Sequence, residues 1–168
     1  MMNWAHVHLV VNHAPVVGGF FVLALGAWAF VRRSAELRRA ALLGSAFLAP
    51  AALLAFLSGR EAEEVVEAFP DVPHALLEGH EEAALAALLA FALAGVAAAA
   101  VLLLQREGET PGPRATALCL ALLLGAAGLV TWAANLGGQI RHPEARGGFL
   151  AQEDPAEDGR GRGRKDKD

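Results

Sequence analysis

Six histidines are the side chains of widest chemical range in this 168-residue chain, and they fall in three short stretches. His6, His8 and His13 lie in HVHLVVNHAP, His74 and His80 in PHALLEGHEE, and His142 in QIRHPEA. A neutral imidazole offers one ring nitrogen to a metal, and two imidazoles on different helices can hold a haem iron from both sides. With carboxylates such as Glu64, Glu81 or Glu144, imidazoles can instead take zinc, copper or iron. A third role needs no cofactor: histidines and acids can hydrogen-bond one another and respond to pH between about 5 and 8. No HxxxH, HExxH or ExxH pattern occurs, so no motif names an ion. No Ser-His-Asp, phosphate-cradling or nucleotide-binding pattern designates a substrate either.

The elements that must position these side chains are oily. The chain is 55 % hydrophobic, and its apolar residues fall in four blocks at 14–31, 40–57, 83–104 and 115–136. None of the blocks contains Asp, Glu, Lys, Arg or His. At roughly 1.5 Å per residue each covers about 27 to 33 Å, close to the hydrocarbon thickness of a bilayer. A buried helix of a water-soluble protein seldom runs so far without a charge, and four in succession predict four membrane-spanning helices. No Lys or Arg precedes the first block, so the basic start of a secretory signal peptide is missing and the first helix is expected to be retained. The expected fold is therefore all-α, an integral membrane four-helix bundle over residues 1–144. The remaining residues, 145–168, are rich in glycine and charge and read as a disordered tail.

Basic residues in short loops remain on the cytoplasmic side. Arg32, Arg33, Arg38 and Arg39 occupy the first link, and Arg106 and Arg114 the third, against Arg60, Arg141 and Arg146 near the opposite face. Both termini are thus expected on the outer, periplasmic side of a bacterial inner membrane. The outward connection from Ser58 to Glu82 carries eight acidic residues and one basic one. Within it Ala62, Val65, Val66 and Phe69 recur at helical spacing among glutamates, which predicts a short amphipathic helix on the outer surface. FPDVP then breaks the chain, so that the third spanning helix begins near His74. RGRGRK in the tail is interleaved with acids and would face outward, which argues against nucleic acid as a partner. Cys119, alone in an apolar helix, is expected to pack as a small hydrophobe.

With this topology every histidine lies at the outer membrane boundary. His80 shares a helical face with Leu77, Ala84, Ala87 and Phe91, whereas His74 aligns with Glu78 and Glu81 on a wet side. In the fourth helix Trp132, Asn135 and Gln139 recur on one face, and Gly137-Gly138 followed by Pro143 predicts the helix end. Asn135, near the hydrocarbon edge, is expected to turn into the bundle and find a hydrogen-bond partner.

HLVVNHAP, with His8 and His13 five apart and Pro15 two further on, resembles the His-Pro-x-x-x-His-x-Pro opening of a group of four-helix bacterial membrane proteins of unknown function. The likeness extends to His80 at the third helix and to Gly137, Gly138 and His142 at the end, and so covers most of residues 6–142. Leu9 stands where the group has its first proline, and the Gly-Gly to His spacing is shorter, so the chain resembles a divergent branch. The resemblance implies a four-helix architecture; some members are joined to electron-transfer domains, which points to redox membranes.

Three functions follow as expectations. One is a single b-type haem on the outer side, held by His13 and His80, with His8 and His142 in reserve. Gly18, Gly19, Ala84 and Ala87 would leave room for the macrocycle, and Asn135 and Gln139 would support the ligands. A nonhaem metal centre using Glu64, Glu81 or Glu144 is the variant of this reading. The second is a non-enzymatic structural subunit whose His/Glu cluster ties the outer loop to the bundle. Proton or solute transport comes third, because no ionisable side chain sits within the apolar blocks. Besides the lipid bilayer, the expected partner is an electron-transfer or membrane-complex protein docking at the acidic outer face.

Overall fold

A computed structural model describes residues 3–66, 72–106 and 109–146. Among them there are five α-helices and one 3-10 turn: α1 Trp4–Val11, α2 His13–Val31, α3 Ala35–Val66, α4 His74–Leu103, α5 Pro113–Arg141, and the turn Pro143–Ala145. The expected 145–168 tail lies outside the described residues apart from Ala145 and Arg146. Four helices are long and apolar enough to cross a membrane, with α1 and α2 counting as one, Trp4–Val31. The four-span, all-helical, multi-pass expectation is thereby met.

Asn12 joins α1 to α2 with nearly helical angles, φ −62° and ψ −24°. Pro15, three residues on, has no N–H to offer the carbonyl one turn back, and this is the local cause of the break. At the far end of α2 the chain reverses through Arg33, whose φ of 50° is left-handed. Its N–H bonds to the Phe30 carbonyl and that of Ser34 to the Ala29 carbonyl, which satisfies two of the orphan acceptors of the helix end. Ser34 then caps α3, its Oγ accepting from the Leu37 N–H at 3.2 Å.

The helices pack in chain order, α2 on α3, α3 on α4, α4 on α5, and α5 back on α2, while α1 lies on α3. Successive helices alternate in direction, so one end of the bundle gathers α1, the end of α3, the start of α4 and the end of α5. This is the histidine end; the arginine-rich links form the other. There the Arg38 Nε donates to the Pro111 carbonyl at 2.9 Å and joins the two links.

The core is made chiefly of small residues. Ala29, Ala41, Ala83, Ala94, Ala98 and Ala126 are fully buried, and Phe91, Leu42 and Leu123 supply most of the bulk. Small side chains let the backbones approach closely, which is how helices gain van der Waals contact when lipid removes the hydrophobic drive. At Gly95 it is the opposing backbone that comes close: a Cβ there would lie 2.6 Å from the Ala49 Cβ and 3.3 Å from the Ser45 carbonyl.

Two expectations change here. Residues 61–66 are the last turns of α3 and not a separate surface helix; Ala62 is buried and Val65 exposed, so the amphipathic pattern is real but the helix never breaks before it. Phe69, the last residue of that pattern, lies outside the described residues. Likewise α5 runs through Gly137 and Gly138 to Arg141. It stops before Pro143, where Arg146 turns back to donate to the Gln139 and Ile140 carbonyls. The third span starts at His74, as FPDVP suggested.

Candidate functional site

Three of the long helices outrun their apolar blocks at the histidine end: α3 continues over 58–66, α4 starts at 74, and α5 extends to 141. At about 1.5 Å per residue this makes a helical collar roughly 8 to 13 Å deep above the oily part. His8 and His80 sit in it, both partly buried.

His8 reaches from α1 to α3. Its Nδ1 lies 3.0 Å from the Ala55 carbonyl and 3.3 Å from Ser58 Oγ, and Ser58 Oγ itself donates to the same carbonyl at 3.0 Å. The ring rests on Gly59, where a Cβ would come within 3.0 Å of its Cε1. His80 repeats this arrangement between α4 and α5. Its Nδ1 lies 2.9 Å from the Ala133 carbonyl, and a Cβ on Gly137 would fall 2.9 Å from its Cε1. In both cases the seat is Ala-x-x-x-Gly, with the carbonyl of the alanine and the bare face of the glycine one turn on.

A carbonyl can only accept, so Nδ1 carries the proton in each neutral ring and the lone pair is left on Nε2. No protein group among the described residues bonds either Nε2. The two seats lie at the same end of the bundle, one between α1 and α3 and the other between α4 and α5. A hydrogen bond from the far ring nitrogen to a carbonyl is the support that metal-ligating histidines ordinarily have. The arrangement can therefore do two things: stitch α1 to α3 and α4 to α5, and present two lone pairs on different helices.

The remaining sequence candidates go elsewhere. His13 is exposed and its Nδ1 bonds the Leu9 carbonyl of α1 at 2.9 Å, so of the pair it is His8 that, like His80, bonds a neighbouring helix of the bundle. His6 and His74 are exposed. His142 is exposed and pairs with Glu144 at 2.9 Å. The Glu144 carboxyl is held below the usual carboxylate range, first by its own backbone N–H and then by the His142 ring. Glu81 lies 4.0 Å from Arg60, and Glu64 lines an open surface cleft with Trp4, Leu57, Arg60 and Glu61. Among the described residues no three His, Cys, Asp or Glu side chains come together as a metal-holding group.

Asn135 does not turn inward; it is exposed and accepts from Gln139 Nε2 at 2.8 Å, one turn away on the same face. That pair satisfies the amide without the bundle, so neither residue stands behind the imidazoles. Nor do Gly18 and Gly19 open a cradle. A Cβ at Gly18 would meet Leu48 at 2.7 Å, and at Gly19 it would touch the Phe91 ring at 3.5 Å. Those glycines admit neighbouring side chains.

The residues that sequence reasoning missed are the seats: Ala55, Ser58, Gly59, Ala133 and Gly137. Their signal was present as AFLSG and AANLG, two small-x-x-x-small steps at the outer ends of helices. No family model, curated protein or solved structure matches this chain.

Proposed function

We propose that this is a multi-pass subunit of a bacterial inner membrane, histidine end outward, in which His8 and His80 form a two-imidazole ligand site for one redox centre, a b-type haem. The observation that supports it is the pair of fixed tautomers, each Nδ1–H committed to a backbone carbonyl and each Nε2 without a protein partner among the described residues. The donor set suits a haem iron, which needs two neutral imidazoles and no carboxylate. The space expected at Gly18 and Gly19 does not suit it, because Leu48 and Phe91 fill it. When bound, it would supply one-electron exchange with a partner at the acidic outer face. The protein's part is to hold both rings in the ligating tautomer and to fix them on separate helix pairs. The outward orientation rests on the six arginines of the opposite links.

The same hydrogen bonds favour a second reading, a structural membrane subunit in which the imidazoles only stitch helices. Visible spectra and metal analysis of protein purified from haem-sufficient cells separate the two. The ligand reading expects a low-spin haem spectrum that His8→Ala or His80→Ala abolishes and the exposed His13→Ala preserves. His8→Asn and His80→Asn are the decisive variants, since an amide N–H can keep the carbonyl bond while removing Nε2. A colourless wild-type protein without stoichiometric iron, copper or zinc refutes the ligand site and leaves the stitches.

A further inference from the structure

We infer that the chain is two copies of one helical hairpin, α1–α3 and α4–α5, related by a two-fold axis along the bundle, with His8 and His80 as equivalent positions. The first observation is the seat itself: a histidine early in the first helix of each hairpin, its Nδ1 on the alanine carbonyl and its ring on the glycine of an Ala-x-x-x-Gly near the end of the second. Any helix facing a core buries a stripe of period 3.6, so a stripe alone proves nothing. An imidazole bonded to a neighbouring helix lies on that inward stripe, so the burial counted from it gives the register in which the two hairpins correspond, and the seat carries the inference. Counting from His8, the buried residues at +7, +11, +14 and +18 are Pro15, Gly19, Val22 and Gly26. From His80 the same steps give Ala87, Phe91, Ala94 and Ala98, all buried. Counting back from the acceptors, −7, −10 and −14 give Leu48, Ser45 and Ala41 from Ala55, and Ala126, Leu123 and Cys119 from Ala133, again all buried.

The packing order agrees with such an axis. It exchanges α2 with α4 and α3 with α5, so the contact of α2 with α3 corresponds to that of α4 with α5, and that of α3 with α4 to that of α5 with α2. Equivalent positions near the axis should then face each other, and they do: the Phe91 ring, at +11, fills the space over Gly19, also at +11. One copy supplies the bulk and the other the gap. On the ligand reading, His8 and His80 would hold the group as equivalents, each through its Nε2. This last step rests on the ligand reading above; the repeat does not.

The test exchanges the two equivalents in the full chain. Gly19→Phe alone sets two rings in one space and Phe91→Gly alone empties it, so each should lower the unfolding midpoint by roughly 10 °C. The double variant Gly19→Phe with Phe91→Gly should recover most of that loss, because on a two-fold axis the ring can come from either side. No recovery overturns the repeat. Haem or metal content read on the same samples keeps the two proposals apart. A colourless wild type with full recovery in the double variant sinks the ligand site alone, and a loaded wild type without recovery sinks the repeat alone.

Discussion

Replacing Gly137 by alanine puts one methyl group where the His80 imidazole now rests. The added Cβ would stand 2.9 Å from Cε1 and 3.3 Å from Nδ1, well inside contact distance, so the ring must swing away. Swinging away breaks the 2.9 Å bond to the Ala133 carbonyl. An interhelical bond of this kind contributes about 0.5 to 1.5 kcal/mol, and displacing a packed ring costs about 1 to 3 kcal/mol more. Against this, alanine is better than glycine inside a helix by about 0.5 to 1 kcal/mol. The balance is a loss of about 1 to 3 kcal/mol, or roughly 3 to 10 °C in the unfolding midpoint for a chain of this size. Gly125→Ala is the control, because a Cβ there meets nothing within 4 Å and only the propensity gain remains. Thermal unfolding in detergent of wild type, Gly137→Ala, His80→Ala and the double variant measures the coupling directly. With the imidazole gone, Gly137→Ala should turn from destabilising to neutral or stabilising. If it costs the same with and without His80, the ring is not seated on Gly137 and the pinned tautomer has no basis.

Gly95→Ala should be worse, by about 2 to 4 kcal/mol, since its Cβ meets the Ala49 Cβ and the Ser45 backbone and only separation of α3 from α4 relieves it; thermal unfolding reads this. Arg33→Gly should stabilise by about 1 kcal/mol by removing the left-handed strain at φ 50°, and an unchanged midpoint would show that the turn tolerates arginine freely. Because the Glu144 carboxyl is lowered in the folded state, what it contributes to the end of α5 is present above the ordinary glutamate value and is lost as pH falls through its lowered one. Amide protection at the C-terminal turn of α5, measured against the intrinsic exchange rate at each pH, should therefore fall only in that acid window, and Glu144→Gln should abolish the dependence.

How much of this was legible beforehand differs between elements. The four spans could be read because freedom from charge over 18 or more residues has a single physical cause, the bilayer. Helix ends were harder. Gly137-Gly138 looks like a stop by local preference, yet α5 continues because an imidazole needs the bare backbone at 137 and Arg146 satisfies the carbonyls beyond. Residues 61–66 looked like a separate surface helix because their polarity differs from the block before, but polarity does not end a helix and no breaker stands between them. Among the site residues, the importance of His80 was visible from its apolar face. That His8 and not His13 bonds across to another helix was not, because five residues span about 140° of helix and only packing decides which of the two turns inward. Asn135 found Gln139 along its own helix, a local solution that a reasoner searching for interhelical partners overlooks.

The alanine-lined interior has one consequence of its own. Where alanine faces alanine, a lengthwise slip only replaces one methyl by another, and register is held by the few knobs seated on glycines, such as Leu48 on Gly18 and Phe91 on Gly19. The bonds at the two ends of the bundle, from His8 and His80 to opposing backbones and from Arg38 across to Pro111, act as dowels against that slippage. Loss of any one of them should loosen the stacking of whole helices before it loosens any single contact within them.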